Sequence, residues 1–440
     1  MKLRKIYTSA GILLLSLFCI GDAVAKDAKF ETGVSFGSTG ADEPYSSLTD
    51  KDGNYYISGM CRGDVEFAGG ATIKGRGGMD AVIVKYDAEL NFLWARAVGG
   101  SKDDTFERIA VTSAGDIVAV GKISGDITID GTDQTLSGTQ STDGCIVVYD
   151  KDGNYKSSAQ IKAAGASLCY SVAVDKSDNI FVTGSTIGAT DFGNEKTVTI
   201  EGSNPGTFLA CYNNSLVCQW AIAGSSPVQS YGWAVNFDKE ENILLTGRFG
   251  TTFTITGTDG EALTTAVGSE SSQDTYVAKL SHEGVGQWIT YVTNSNRIDT
   301  RSIDSDSQGN VYIWGHCQSA VTPEGQSPLG FNGNFDSFLI KYSSAGAYLD
   351  GMNLGGSGRD EAKSLFVDAD DNIYVAGNVN GDGSKGGTAV NMNPRGESKD
   401  YTFKGHDGYV AKYNGSTWEL MQLEKTVTPD NANQHEVAWW

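Results

Sequence analysis

Six glycines spaced 62, 63, 63, 68 and 62 residues apart cut most of this chain into equivalent lengths. Regular self-similarity on this scale restricts the fold more than any other feature, because it implies one supersecondary unit repeated in space. The glycines are Gly59, Gly121, Gly184, Gly247, Gly315 and Gly377. Each closes an apolar run opened by Asn or Asp, at 54–59, 116–121, 179–184, 242–247, 310–315 and 372–377. Nine residues before the glycine stands Asp50, Thr112, Asp175, Asp238 or Asp368; in the fifth unit Asp304, two residues further back, is read as the counterpart. A second apolar run follows at 80–86, 143–149, 206–212, 274–280, 336–342 and 407–413. A third is often led by tryptophan, at Trp94, Trp220, Trp288 and Trp418, a recurrence that reads as core first and ligand platform second.

These runs are rich in Val, Ile, Tyr, Phe and Thr, the residues that suit a pleated, half-buried surface. Asp-Lys-Asp-Gly-Asn at 50–54 and Asp-Ser-Gln-Gly-Asn at 306–310 are hairpin chemistry: Asp caps the turn and Gly takes positive φ. Glycine supplies 56 of the 440 residues, about 13% against a usual figure of roughly 7%. No stretch shows a sustained helical period. The chain is all-β, with four main strands per unit and a longer arm between the second and third that can add an edge hairpin. Four-stranded sheets repeated six times close best as a radial β-propeller, which protects edges that a linear stack exposes. Segments 30–36 and 435–440 read as an extra fourth strand and an extra first strand. They either clasp, giving six blades of about 63 residues, or make a seventh blade from the chain ends.

Asp-Asp-Asn-Ile-Tyr-Val-Ala-Gly (370–377), Gly-Gly-Ser-Gly-Arg-Asp-Glu-Ala (355–362) and His-Asp-Gly-Tyr-Val-Ala-Lys-Tyr (406–413) resemble the β-propeller (SBBP) repeat of exported bacterial proteins. The resemblance runs over roughly residues 30–440, departing at Gly206 and Thr112, where Asp is expected. It implies a propeller fold and no particular chemistry.

Residues 1–25 have the three parts of a secretory signal: Lys2, Arg4 and Lys5, then an apolar run at 12–20, then Ala23-Val24-Ala25. The apolar run is too short to span a bilayer. The expectation is an exported chain, periplasmic or at the cell surface, with 26–440 as a single propeller domain. With 54 acidic against 33 basic residues, a net charge of −21 argues against nucleic acid and anionic membranes as partners.

An even number of cysteines beyond residue 25 permits disulfides, and Cys211 with Cys218 is the specific pair expected, across a hairpin. No Cys-x-x-Cys occurs and the four histidines are scattered, so no transition-metal site is read. Asp50 and Asp52, and Asp304 and Asp306, have the alternating oxygens of a calcium loop but sit where hairpin turns are expected. Calcium is therefore the one cofactor considered, and none is required.

The resemblance implies that a ligand would meet loops at one mouth of the central channel, those entering the innermost strand and those leaving the second. Counting 17 back from each glycine, with the two-residue shift in unit five, gives Asp42, Asp104, Ser167, Ser230, Asn296 and Asp360. Each either caps its own loop or joins a ring of acceptors for a cation or sugar hydroxyls. Neighbouring Glu43, Tyr45, Glu107, Arg108, Tyr170, Tyr231, Trp233, Arg297, Asp299, Arg301 and Glu361 vary from unit to unit, and Tyr45, Arg108, Tyr231 and Arg301 are added to the candidate ligand-binding set. The segment 305–314 has the wrong spacing for a sialidase turn, and ten arginines are few for the arginine cluster those enzymes use. No nucleophile–His–acid set is located. The expected function is a non-enzymatic binding scaffold for a glycan or protein. The alternatives are a polysaccharide hydrolase or lyase at the channel mouth and a structural module of an envelope assembly.

Overall fold

The computed structural model describes residues 37–425, apart from 39, 68–69, 267–272, 381–387, 398–399 and 404–405. The expected signal segment 1–25 and the terminal strands at 30–36 and 435–440 lie outside the described residues.

Six antiparallel four-stranded meanders follow one another in chain order. Their first, inner strands are Asp42–Thr49, Thr105–Val111, Ser167–Val174, Ser230–Phe237, Ile298–Ser305 and Arg359–Val367. In the third unit the full meander is Ser167–Val174, Ile180–Thr186, Gly206–Tyr212 and Cys218–Ser225, and the other units repeat this plan. All the described repeats supply their four strands without help from the chain ends.

Strand alternation explains why the runs are apolar throughout rather than at every second position. Ile117 and Ala119 pack into a core shared with Tyr56 and Ile83 of unit one. Val118 and Val120, on the opposite face, pack with Val182 and Phe208 of unit three. The same arrangement joins units three and four, four and five, and five and six. Each sheet of units two to five is thus a layer buried between two others, which requires apolar residues on both faces.

The arms couple neighbours in a second way. Gly188–Asp191 of unit three pairs with the outer strand of unit two through Lys162↔Asp191 and Ala163↔Thr190. Thr252–Thr256 of unit four pairs with unit three through Gly224↔Ile255. The equivalent pairings join units two to one and five to four. An outer strand would otherwise present an open row of N–H and C=O groups, and the arm of the next unit covers it.

Two expectations are corrected here. The turn aspartate of unit five is Asp306, which accepts from the Gln308 and Asn310 N–H groups as Asp50 does from Asp52 and Asn54. The partner of Cys317 on the inner strand is Ile298, the position that Asp42 holds opposite Cys61, so Asn296 lies in the preceding loop. The extra length that produced the 68-residue spacing lies in the arm of unit four, and unit five needs no shift. Cys211 and Cys218 are free thiols. A register shift places Cys211 opposite Trp220 and Tyr212 opposite Cys218. The two sulfurs therefore belong to cores on opposite faces of the sheet.

Candidate functional site

In all six inner strands the pairing register breaks at the same place, between Pro44/Ser46, Phe106/Arg108, Cys169/Ser171, Gly232/Ala234, Thr300/Ser302 and Ala362/Ser364. The extra residue at each bulge is Tyr45, Glu107, Tyr170, Trp233, Arg301 or Lys363. Opposite each bulge stands the repeat-defining glycine. A Cβ on Gly184 or Gly247 would lie 1.8 Å from the carbonyl oxygen of Leu168 or Tyr231, and one on Gly121 would lie 1.9 Å from that of Thr105. Only glycine lets the bulged backbone come this close, so the spacing read from the sequence is the spacing of the bulges. A bulge bends its strand and re-aims a side chain.

Three positions per unit gather around these bulges: the bulge residue, the residue two before it, and the residue after the closing glycine. In unit one the Tyr45 hydroxyl donates to Glu43 Oε2 at 3.0 Å and meets Met60 Sδ at 3.7 Å. In unit two Thr105 Oγ1 donates to Glu107 Oε1 at 2.7 Å. In unit four the rings of Tyr231 and Trp233 stack at 5.6 Å, and Tyr170 of unit three lies 4.4 Å from Trp233. Arg248 lies over Tyr231 at 4.7 Å, and Arg301 over Trp233 at 5.3 Å. In unit five the Asp299 carboxylate takes Arg297 Nε at 2.7 Å and Arg248 Nη1 at 3.3 Å, with Arg301 at 3.9 Å and His316 at 3.7 Å. In unit six Glu361 takes Arg359 Nε at 2.5 Å and Lys363 Nζ at 2.9 Å.

Arg108 breaks the repeat. Its counterparts one step past the bulge are Ser46, Ser171, Ala234, Ser302 and Ser364. Their small size leaves room for one long side chain, and Arg108 Nη2 reaches from unit two to the Arg301 carbonyl of unit five at 3.3 Å. Beneath it lies a cavity of about 300 Å³ lined by inner strands of five units, including Ser171, Val235, Asn236, Ile303 and Leu365. Arg108 is the floor of a bowl that opens at the bulges.

Charge inside the bowl is segregated. Burial pushes the Glu107 carboxyl up, against the opposing pull of Lys122, Arg108 and Arg301. Burial and the neighbouring Glu107 and Glu43 hold the Tyr45 phenol well above its ordinary value. Burial would raise Asp299 as well, but His316 and the surrounding guanidiniums overcome it and hold that carboxyl far below the carboxylate range. For Glu361 burial is likewise overcome, by Lys363, His316 and Arg359, and its pKa falls to about 2. Burial lowers both Arg108 and His316.

The predicted positions divide into two groups. Tyr45, Arg108, Tyr231 and Arg301 come together in the bowl, with Glu43, Glu107, Tyr170, Trp233, Asp299 and Glu361. Asp42, Asp104, Ser167, Ser230 and Asp360 hold backbone. Asp104 accepts from the Gly100 and Ser124 N–H groups, Asp360 from Gly356 and Asp42 from Ser38. Ser167 and Ser230 each accept from one N–H and donate to one carbonyl. Asn296 is exposed in its loop. Three of the four calcium candidates are similarly committed: Asp50 and Asp306 to their own turns and to Tyr56 and Tyr312, and Asp304 to the Val367 and Ser305 N–H groups; Asp52 is exposed on its turn. Among the described residues no three His, Cys, Asp or Glu side chains come together as a metal site.

Sequence reading missed Arg248, His316, Lys122, Arg359 and Lys363. The signal was present, since Lys122, Arg248 and His316 each follow a closing glycine. The ten arginines also proved sufficient for a cluster, because five of them, Arg108, Arg248, Arg297, Arg301 and Arg359, meet in or beside the bowl.

The β-propeller repeat (SBBP) model matches residues 158–193, which run from the outer strand of unit two into the arm of unit three. The chain carries a β-propeller repeat of this family. It is also 22% identical over 435 aligned residues to an uncharacterised WD repeat-containing protein of Acanthamoeba polyphaga mimivirus, covering 80% of this chain and 31% of that protein. The chain thus spans about a third of the length of the curated relative it matches. A Bacteroides caccae protein of unknown function is 14% identical, with 62% of this chain and 89% of that one covered and a TM-score of 0.28. A B. thetaiotaomicron chain described as the extracellular domain of a one-component system is 10% identical, with 86% and 59% covered and a TM-score of 0.18.

Proposed function

We propose that the six units close into a ring, that the protein is exported, and that it serves as a binding scaffold holding a glycan in the bowl. The observation that carries this reading is the contrast between a scaffold repeated six times and a bowl in which no two units present the same set of side chains. Closure is supported by Lys363 of unit six, whose charge bears on Glu43 of unit one. Arg108, bridging units two and five, supports it from within. Tyr170, Tyr231 and Trp233 form a contiguous aromatic wall, and flat rings with polar edges suit the apolar faces and hydroxyl rims of sugars. Calcium has no role in this reading, since Asp50, Asp304 and Asp306 already accept from backbone N–H groups.

The test is a glycan array probed with the purified protein and with Trp233→Ala, each with and without chelator. Saturable binding by the wild type, lost in the variant and indifferent to chelator, is the expected result. A blank array moves the ligand to a protein partner.

A cleavage reading has one observation in its favour: a raised Glu107 shares the bowl with lowered Asp299 and Glu361, the separation of acid strengths that acid–base catalysis requires. Product release from a bound glycan, with a bell-shaped pH–rate profile abolished by Glu107→Gln, is its signature.

A further inference from the structure

We infer that the sugar held in the bowl carries a carboxylate, as uronic and sialic acids do; this rests on the glycan-binding reading and specifies its ligand. Three observations converge on it.

One side of the bowl, built by units four to six, is a positive site in a strongly acidic protein. Three guanidiniums, from Arg248, Arg297 and Arg301, surround the single carboxylate of Asp299. Two cations, Lys363 and Arg359, share Glu361. Each cluster therefore holds more positive than negative charge, within a chain whose net charge is −21. Arg248 is largely buried, while Arg301, Lys363, Arg359 and Arg297 keep part of their side chains in solvent, so the excess cations are placed to meet an incoming anion.

Hydrogen-bonding capacity is also left over, and all of it here is donor capacity. Arg108 Nε, Arg248 Nε and Trp233 Nε1 are buried and have no partner among the described residues. Buried donors are normally satisfied, so a concentration of unsatisfied ones around one bowl marks a site shaped for an acceptor-rich group.

The cations and the aromatic wall are the same structure. Arg248 and Arg301 lie against Tyr231 and Trp233, so a sugar ring stacked on that wall would place a ring substituent beside two guanidiniums. A guanidinium fork matches a carboxylate with two parallel N–H···O bonds, and Asp299 shows that guanidiniums of this bowl take a carboxylate, through single bonds from Arg297 Nε and Arg248 Nη1.

The experiment is calorimetric titration of the full chain with three probes: a galacturonate oligomer, the galactose oligomer of equal length, and N-acetylneuraminate. Wild type and two variants, Arg301→Gln and Arg248→Lys, are titrated at low and high salt. The expected result is binding of an acidic probe at least about tenfold tighter than the neutral one, weakened by salt. Arg301→Gln should abolish that preference while leaving weak neutral binding, and Arg248→Lys, which keeps the charge but loses the fork, should reduce it. Equal affinity for acidic and neutral probes overturns the carboxylate inference and leaves glycan binding intact. Titrations blank for all three probes, with the array blank as well, overturn both. Circular dichroism of each variant separates lost recognition from lost fold.

Discussion

At the scale of single residues, most of the repeat signature is the price of the bulges. Gly247 exists because the Tyr231 carbonyl occupies the volume of a Cβ. Gly247→Ala should lower stability by on the order of 3 kcal/mol in denaturant unfolding. Gly330→Ala, where nothing lies within 4 Å, should be neutral to within about 0.5 kcal/mol. A second residue-scale device sits at the opposite ends of the inner strands. Asp178 and Asp371 occupy left-handed turn positions with φ of 62° and 63°, where Gly53, Gly115 and Gly309 stand in other units. The Asp178 and Asp371 carboxylates bind the N–H and hydroxyl of Ser113 and Ser307 in the preceding unit. Asp371→Ala loses these bonds and keeps the strained φ, so it should destabilise more than Asp371→Gly, the two differing by about 1 kcal/mol in chemical unfolding. Burial also raises Asp104, Asp304 and Asp360 to about 7. Their folded values exceed the unfolded one, so the folded chain holds extra protons between about pH 4 and 7, and the stability this confers is lost as pH rises through 7. The unfolding midpoint should therefore fall between pH 5.5 and 8, and Asp304→Asn should flatten that fall.

At the scale of elements, strands and turns were legible because they depend on local chemistry: β-branched runs, Asp at the turn, Gly closing each second strand. What was not legible depends on pairing. The bulge is a relation between two strands, so the sequence displays its consequence, the glycine, without its cause. The acceptor positions at the strand starts form a regular pattern for a structural reason, since each ties its own loop to the backbone. The variable neighbours line the bowl. Placing Asp304 and Asn296 one pleat out of register followed from assigning the long fourth spacing to unit five, when the extra residues sit in the arm of unit four. Cys211 and Cys218 flank one hairpin, but the register shift beside them puts their side chains on opposite faces. The arms make a further prediction. Replacing 252–266 with a two-residue link would uncover the outer strand Cys218–Ser225, and light scattering should report concentration-dependent association absent from the parent.

At the scale of the whole molecule, the units are alike where they pack on one another and different where their bulges face inward, so that shared geometry carries a singular site. That site exists only if the first and sixth units are neighbours, with Lys363 facing Glu43 and the bowl walled on every side. Spin labels read this directly. The third turn position of each unit is exposed, at Asp52, Ala114 and Asp370 in units one, two and six, and the cysteines among the described residues are all buried. Cysteines introduced at those three positions allow two distances to be measured by pulsed electron resonance, 52 to 114 and 52 to 370. A closed ring of six predicts that the two distances agree. A 52-to-370 distance longer by the width of a sheet would contradict it, placing a seventh blade or an open gap between unit six and unit one.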